Sequence, residues 1–318
     1  MMKFLTLLTL LIGAWGSPVI AQSYPAKSVR LVVGFGTGGG TDTLSRVLSR
    51  KLADTWPQSL VVENRPGADG SIATEIVAKA PADGYTLVMV SNAHTITPFQ
   101  RKLAYDPVKD FAPVSLIGSN PNLLLLHPSL PAKTLKELVA LAKSRPNEMA
   151  FASSGAGTSP YLAMELLKSI TGMKLTHVPY KGSGPAVIDL IGGHVQLMFG
   201  AVSTTVSHLQ NGRLRAIAIS SPQRWPALPE IPTVAESGVP GFEASTWYGV
   251  LAPAGTPQAI VTKLHTDMVA AITAQDIRKH LVDLGISTIA NSPREFSDVI
   301  RNDMARWGKL IRSLERQK

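Results

Sequence analysis

The sequence predicts an α/β protein of two lobes, and three observations lead to this prediction. Apolar, β-branched runs alternate with helical patterns in both halves of the chain, as in parallel sheets covered by helices. Several of these runs lead into a helix through a glycine-rich loop. No low-complexity linker separates the halves, and the C-terminal stretch has no glycine loop of its own. We therefore expect lobe one to comprise residues 23–123 plus 248–318, and lobe two residues 124–247.

The first lobe opens with a βαβαβ pattern. Its elements are predicted, in chain order, as the strand SVRLVV, the helix TDTLSRVLSRKLADTW, the strand SLVVENRPG, the helix SIATEIVAKA, the strand YTLVMVS and the loop NAHT. The first helix carries Leu44, Val47 and Leu48 on one face, which is helical spacing. Its expected N-cap is Thr41 or Asp42.

The second half repeats this alternation. Its predicted elements are the helix TLKELVALAKS, the strand EMAFASS, the helix YLAMELLKSI, the strand KLTHVPY, the helix PAVIDLIGG, and the strands HVQLMFG and LRAIAISS. Thr134 and Glu137 form a capping box at the first of these helices. From residue 247 the pattern predicts a strand, three helices and a last strand. The final helix should start at Ser292, with Glu295 completing another capping box.

Residues 1–21 have the pattern of a secretory signal peptide, with a lysine, an apolar run and small residues before Ala21. The run is too short for a membrane anchor, and Pro, Gly or a charge interrupts every later one. We expect cleavage near Ala21, a mature chain from Gln22, and no direct membrane insertion after signal removal. The chain has no cysteine, so its cores rather than disulfides must hold it together. This favours a bacterial periplasm.

The formal net charge is +9, and it becomes +8 when the signal peptide removes Lys3. The basic residues are scattered, and aromatic residues make up only 6% of the chain. Nucleic-acid binding would require basic residues clustered with aromatics on one face. We therefore expect no nucleic-acid partner, and we interpret the charge as a solvated surface that weakly steers small anions.

The motifs of catalysis and metal binding are missing from the sequence. Seven histidines are present, but no two have the spacing of metal ligands, and there is no H-E-x-x-H. Ser153, Ser154 and Ser183 stand beside glycines, yet no G-x-S-x-G occurs. The sequence therefore predicts no metal, no cofactor, no catalytic residue and no enzyme activity.

Three glycine-rich loops lead from a strand to a helix start, at residues 34–42, 153–160 and 180–185. Free N–H groups and the helix dipole make such ends anion sites. The first loop also matches G-x-G-x-x-G at Gly34, Gly36 and Gly39, and Glu63 could serve as a ribose-binding acid. Against a dinucleotide site, export would take the loop away from nicotinamide and flavin cofactors. The loops are better suited to a small carboxylate.

Segments spread over the whole mature chain resemble the Bug proteins, the extracytoplasmic solute receptors of tripartite tricarboxylate transporters. The matching segments are YPAKSVRLVV, GGGTD, VVENRPGADGSIATEIVAKAPADGYTL, LAYDPVKDFAPVSLI, FASSGAGTSPYLAMELLK, THVPYKGSGPAVIDLIGGHVQLMF, RWPALPEIPTVAESG and WYGVLAPAGTP. The resemblance implies a type II periplasmic binding protein fold, in which crossover strands join two lobes that close on a ligand. It implies a periplasmic, monomeric receptor that captures a small organic carboxylate for an inner-membrane permease.

The resemblance also implies the residues of the site. The loops matching residues 35–40 and 153–158 meet the ligand carboxylate through backbone N–H groups and bridging waters, and four other loops complete the pocket. The expected ligand-binding residues are Phe35, Thr37, Gly38, Gly39, Gly40, Ser91, Asn92, Ser153, Ser154, Gly155, Gly157, Thr158, Tyr180, Lys181, Gly200, Ala201, Thr246 and Trp247. A side chain at Gly39 or Gly155 should fill the ligand space or force a φ that only glycine adopts freely.

Three positions depart from the family pattern. The first loop has Gly34, Gly36 and Thr37 where relatives are proline-rich, and Tyr161 stands where a histidine is common. Gly200 replaces a frequent Asp, which implies a ligand without an ammonium group. Two alternatives stay open beside the transport receptor: a ligand-sensing input to a signalling partner, and an exported enzyme that uses the same cleft.

Overall fold

The computed structural model describes residues 24–156, 158–180 and 182–315. Its strands form two sheets, A and B. Sheet A contains, in spatial order, β11 (Ser287–Asn291), β4 (Phe111–Asn120), β10 (Thr246–Pro253), β3 (Thr86–Ser91), β1 (Val29–Val33) and β2 (Leu60–Asn64). Sheet B contains β7 (Thr176–Pro179), β6 (Ala150–Ser153), β8 (Leu197–Ala201), β5 (Asn122–Leu126) and β9 (Arg215–Ile219). The predicted signal peptide lies outside the described residues.

Helices cover the sheets in the alternation that the sequence predicts. They are α1 (Gly40–Leu52), α2 (Ser71–Ala78), α3 (Ala93–Ile96), α4 (Leu135–Ser144), α5 (Ser159–Thr171), α6 (Ser183–Ile191), α7 (Val202–Gln210), α8 (Gln258–Thr273), α9 (Gln275–Asp283) and α10 (Pro293–Glu315). Two differ from expectation. The segment NAHT, predicted as a loop, contributes to the one-turn helix α3, and α7 had no predicted counterpart.

The capping box at α10 is confirmed in full, and the one at α4 is confirmed in part. At α4, Glu137 N donates to Thr134 Oγ1 at 3.2 Å, but the Glu137 carboxylate accepts from Lys133 N instead of the Thr134 amide. At α10 the box is reciprocal: Glu295 N donates to Ser292 Oγ, and Ser292 N donates to Glu295 Oε2 at 2.8 Å. These caps satisfy N–H groups that a helix start otherwise leaves without partners.

Parallel pairing decides where the loops lie. β1 pairs in parallel with β2 and β3, and β6 pairs in parallel with β7 and β8. The carboxyl ends of parallel strands share one edge of a sheet, and ligands of open α/β sheets bind beyond that edge. The glycine loops after β1, β6 and β7 therefore lie at the carboxyl edges of the two sheets.

The chain passes between the sheets twice, and the two passages touch. β4 ends at Asn120 in sheet A, and β5 begins at Asn122 in sheet B. The return passage lies between β9 and β10. The side-chain amide of Asn122 donates to Ala244 O at 2.9 Å, and its backbone N–H donates to Ser220 Oγ at 2.8 Å. These bonds fasten the two passages side by side, as in a hinge.

Helix α10 packs against both sheets. Phe296 and Ile300, in its first half, share an apolar cluster with Leu251 of sheet A. Three residues of its second half are buried in the cluster that contains the sheet B core, namely Trp307, Leu310 and Ile311. Arg306 also donates to the carbonyl of Glu243 in the return passage. The last helix is thus an apolar seam between the two halves of the molecule.

Candidate ligand-binding site

The carboxyl edges of the two sheets face each other across a cleft, and a hydrogen bond crosses it. Gln100 Nε2, beyond α3, donates to Ala156 O in the second glycine loop at 2.5 Å. A Cβ placed on Gly155 would lie 3.4 Å from Asp69 Oδ1, which follows β2. The loop 153–158 on the sheet B side therefore contacts segments that belong to the sheet A side.

Asp42 organises the first glycine loop from inside the first turn of α1. Its carboxylate accepts from Gly38 N at 3.0 Å, from Arg46 Nε at 2.9 Å and from Asn64 Nδ2 at 3.0 Å. Burial opposes ionisation, but these hydrogen bonds outweigh it, and the pKa of Asp42 is lowered. The Asp42 carboxylate therefore holds the first glycine loop in place, and the three donors in turn stabilise its negative charge.

The expected N-cap of α1 is wrong, since Gly39 rather than Thr41 or Asp42 holds that position. A glycine N-cap has no side chain with which to satisfy the first N–H groups of the helix, so they remain available to a ligand. Gly39 has φ −76°, which any residue adopts, and its Cβ would make only an ordinary contact. Of the two effects predicted for a side chain at Gly39, the forced φ is wrong, and the filling of the ligand space stays a prediction.

Other glycines of this loop are required by packing. A Cβ on Gly34 would approach Gly70 Cα at 2.5 Å, and one on Gly40 would collide with the phenol of Tyr248. Phe35 and Thr37 belong to the same loop, where Phe35 is half-buried and Thr37 is exposed. Between the tightly packed Gly34 and Gly40, the loop therefore presents backbone groups to the cleft.

The second glycine loop is held by its own hydroxyl groups. Thr158 Oγ1 donates to Gly155 O at 2.6 Å and accepts from Ser154 Oγ at 3.2 Å. Gly155 N donates to Ser153 Oγ at 3.2 Å, and Gly155 has φ +135°. Thr158 is the N-cap of α5, yet its hydroxyl proton serves the loop rather than a ligand. The start of α5 therefore has no side-chain cap, and because Pro160 lacks an N–H, the free donors of its first residues are those of Ser159 and Tyr161.

Ser153 and His177 form a close pair, with 2.7 Å between Ser153 Oγ and His177 Nε2. His177 also stacks on Phe151, with ring centroids 4.8 Å apart, and contacts Tyr161 in a tilted arrangement at 4.6 Å. Burial, and then the charge of Lys168, lower the pKa of His177 to about 4. Ser153 is fully buried, and its hydroxyl also accepts from Gly155 N. The pair therefore positions the second glycine loop.

Acidification is expected to destabilise the folded protein between about pH 6.5 and 4. His177 has a folded pKa of about 4 against an ordinary 6.5, and so does His94 because burial lowers it. In this window the unfolded chain binds more protons, so stability rises with pH and is lost as pH falls. Melting temperatures from pH 7 to 4.5 should fall, and less steeply for His177→Phe, which keeps the ring stack. An unchanged slope in that variant would contradict the assignment.

The third glycine loop is anchored by Tyr180. Its hydroxyl donates to Asp189 Oδ2 at 2.6 Å, and its backbone N–H donates to Ser153 O at 2.9 Å. Burial, with the Asp189 carboxylate, raises the pKa of Tyr180 to about 12. Gly182 is the N-cap of α6 and has φ +120°. Two predicted ligand residues of these loops, Gly157 and Lys181, lie outside the described residues.

Gly200 lies inside sheet B, at the end of β8. A Cβ there would be 2.8 Å from Leu125 Cδ1 and 3.1 Å from Thr205 Cγ2. Ala201 follows as the N-cap of α7, and Thr205 Oγ1 donates to its carbonyl. The space that an Asp would need at position 200 is therefore filled by neighbouring side chains in this protein.

On the sheet A side, Asn92 joins the cleft to the hinge. Asn92 Oδ1 accepts from Trp247 N at 2.8 Å, and Asn92 Nδ2 donates to Ser245 O at 3.1 Å. The Trp247 indole donates to Asp303 of α10 at 2.9 Å, while Thr246 Oγ1 accepts from Asn122. These three predicted positions, Asn92, Thr246 and Trp247, share a network that braces the hinge, and Ser91, before them, accepts from Ala93 N through its hydroxyl.

Two cleft residues were missed by the sequence analysis, Asp69 and Gln100. Asp69 has φ +56° and pairs with Arg101 at 2.6 Å. The turn-rich motif GADG could have drawn attention to Asp69, whereas nothing local marks Gln100. Within residues 24–156, 158–180 and 182–315, no three His, Cys, Asp or Glu side chains are placed to hold a metal ion. Over the same ranges, the helices are all too short or too polar to cross a membrane.

A family model that matches most of the chain identifies the family. The model of the tripartite tricarboxylate transporter family receptor, TctC, matches residues 44–315. The chain belongs to the TctC family. The receptor is 36% identical to protein BugT of Bordetella pertussis over 317 residues, which is 98% of this chain and 97% of BugT. The predicted resemblance to the Bug proteins is thereby confirmed, and the family is one of solute-binding receptors rather than of enzymes.

Solved structures agree with the fold of this TctC receptor. Rpa4515 of R. palustris, solved with adipate, is 38% identical with a TM-score of 0.85, covering 91% of this chain and 97% of Rpa4515. MatC from Rhodopseudomonas palustris, solved with bound malate, is 34% identical with a TM-score of 0.82, covering 91% and 100%. The predicted type II periplasmic binding fold, with two lobes around a cleft, is confirmed.

Proposed function

We propose that this TctC-family chain is a periplasmic receptor that captures a small carboxylate and delivers it to the permease of a tripartite tricarboxylate transporter. The observation that carries the proposal is the pair of helix starts, α1 and α5, at the two facing loops. Neither start has a side-chain cap, although Pro160 removes one N–H donor from the first turn of α5. Loops 34–42 and 153–160 contain no Arg or Lys, so the anion would be met by backbone donors.

Magnitudes support a backbone cradle. A hydrogen bond to a charged group contributes about 1.5–3 kcal/mol, and a helix N-terminus adds about 0.3–1 kcal/mol. A few such bonds reach about 8 kcal/mol, the free energy of micromolar binding. The net positive charge would add weak steering of the anion toward the cleft. No basic side chain is needed to account for binding at this strength.

We also propose where the mature chain begins, where the lobes lie and which residues contact the ligand. The mature chain would begin at Gln22 after export, with lobe one at residues 23–123 plus 248–318 and lobe two at 124–247, and it would act as a monomer. The proposed ligand contacts, from both lobes, are Phe35, Thr37, Gly38, Gly39, Gly40, Ser91, Asn92, Ser153, Ser154, Gly155, Gly157, Thr158, Tyr180, Lys181, Gly200, Ala201, Thr246 and Trp247. Adipate in Rpa4515 and malate in MatC support an aliphatic dicarboxylate as the class to test first.

A thermal-shift panel tests the proposal. The mature protein should melt at a higher temperature with a mono- or dicarboxylate, and at an unchanged temperature with NAD, FAD or ATP. A ligand at a hundredfold excess over Kd stabilises by about 2.7 kcal/mol, a shift of several degrees at most for a chain of this size. Mass spectrometry of any small molecule retained through purification widens the panel. A shift with a nucleotide and with no carboxylate would refute the receptor assignment.

A further inference from the structure

Asn64, at the end of β2, holds the first glycine loop from the outer edge of sheet A. Its side-chain amide donates to Phe35 O at 3.0 Å and to Asp42 Oδ1 at 3.0 Å. Its side-chain oxygen accepts from the guanidinium of Arg46 at 3.1 Å. Both N–H groups of the amide and its oxygen are therefore paired, which fixes the orientation of the side chain.

Asn64 and Asp42 together fasten the loop at two peptide groups. Asn64 holds the carbonyl of Phe35, while Asp42 accepts from Gly38 N at 3.0 Å. The N–H of Gly38 is therefore already paired inside the protein. Residues 36–37 lie between the two anchors, and both are exposed. The anchors thus decide how the peptide groups of this short exposed segment are oriented.

The peptide bond between Phe35 and Gly36 is trans, so its carbonyl and its N–H point in opposite directions. The carbonyl points to Asn64 on β2, the edge strand of sheet A. The Gly36 N–H therefore points away from that edge, toward the side of β1 on which β3, β10 and the hinge lie. Within residues 24–156, 158–180 and 182–315 this N–H has no hydrogen-bond acceptor, so it can donate to a ligand.

Gly36 supplies a donor that a proline would not, since proline has no N–H, and relatives are proline-rich in this loop. Neither packing nor backbone conformation demands a glycine here. No described atom lies within 4 Å of a Cβ placed on Gly36, and its φ lies outside the left-handed region. The open space beside the N–H leaves room for a ligand atom.

We propose that Asn64 is a positioning residue for ligand binding, which holds the Phe35 carbonyl and so directs the Gly36 N–H into the cleft as a donor to the ligand carboxylate. The proposal rests on the proposed receptor function, and it adds one donor of the first loop to those at the start of α1. Asn64 itself does not contact the ligand. Its effect on affinity passes through the single peptide group between Phe35 and Gly36.

Two substitutions at position 36 isolate the donor. Gly36→Ala and Gly36→Pro both add a Cβ, but only the proline removes the N–H. Isothermal titration of the wild type with adipate, malate, succinate and benzoate identifies the acid that binds most tightly, and that acid is then titrated into both variants. Gly36→Pro should bind it about tenfold more weakly than Gly36→Ala, the effect of losing one hydrogen bond to a charged group. Equal affinities in the two variants, both shown by circular dichroism to be folded, would overturn the proposal.

An exchange that conserves charge separates positioning from stability. Asn64→Ala removes the bonds to Phe35 O and to Asp42 together. The double variant Asp42→Asn with Asn64→Asp keeps an amide–carboxylate pair beside Arg46. It leaves Phe35 O without its donor, although Gly38 N still has an acceptor. The double variant should melt at a higher temperature than Asn64→Ala, while both bind the acid about tenfold more weakly than the wild type.

NMR spectra of protein carrying isotope-labelled glycine report on the donor directly. The Gly36 amide signal, assigned by its loss in Gly36→Ala, should move downfield when the acid binds to the wild type, and should move less in Asn64→Ala. Wild-type affinity in the double variant, or a Gly36 signal that stays in place at saturation, would overturn the role of Asn64 and leave the receptor function standing. A wild-type protein that binds none of the four acids would overturn both.

Discussion

Gly155→Val is expected to abolish ligand binding, with at least a hundredfold loss of affinity. Gly155 has φ +135°, a region that L-residues rarely adopt, so a side chain would force the second glycine loop to change its path. Its Cβ would also lie 3.4 Å from Asp69 Oδ1, across the cleft. The substitution therefore changes the backbone donors and the closing contact together. Titration calorimetry with the acid found in the thermal-shift panel measures the loss.

Gly238→Val is the matched control for strain. Gly238 has φ +106° in an exposed turn, and no atom of the described chain lies within 4 Å of its Cβ position. This variant should lose stability in the same way as Gly155→Val but keep its affinity. Circular dichroism on both proteins confirms folding. A folded Gly155→Val protein that binds normally would contradict the backbone cradle.

Trp307→Ala should reduce the free energy of unfolding by about 3–5 kcal/mol, the usual cost of truncating a large buried aromatic side chain. Trp307 is 1% exposed and packs in the cluster that α10 shares with the sheet B core. The melting temperature should fall by about 10 °C for a protein of this size. Lys309→Ala, on the exposed face of the same helix, is the control and should change the stability by less than about 0.5 kcal/mol.

Guanidinium unfolding, followed by tryptophan fluorescence and by circular dichroism, checks this second prediction. The two probes together also show whether the lobes unfold as one unit, since a two-lobe protein need not be two-state. A loss below 1 kcal/mol in Trp307→Ala would mean that the seam along α10 contributes little to stability.

The fold was predictable because its signals are local. The strand β1 reads as VRLVV, a run suited to a parallel sheet buried on both faces, and it lies between two parallel partners. The capping box at Ser292 involves residues only three apart. In contrast, α3 is a single turn, too short for a periodic pattern, and it is held by packing within the finished fold. Such an element has almost no signature in the sequence.

The site, too, was predictable only where its signals are local. Glycine loops before helix starts identify the cleft, because backbone conformation is encoded by the glycines themselves. The roles of Asn92 and His94 could not be inferred, since their partners are distant in sequence or come from irregular segments: Asn92 bonds Ser245 and Trp247, and His94 bonds Pro107. Thr158 was predicted as a ligand contact, and its 2.6 Å hydrogen bond to Gly155 O, which holds the loop, could not be inferred from the sequence.

The position of α10 determines where the two lobes can move apart. Parting the lobes at Trp307 and Leu310 would expose apolar surface, at about 25 cal/mol for each Å². Parting them at Gln100 and Ala156 breaks a polar contact that water can replace. The cleft should therefore open at its polar rim, between Gln100 and Ala156, while the lobes stay packed together along α10. Because the lobes stay joined along α10, little orientational freedom is left to lose when the cleft closes on its ligand.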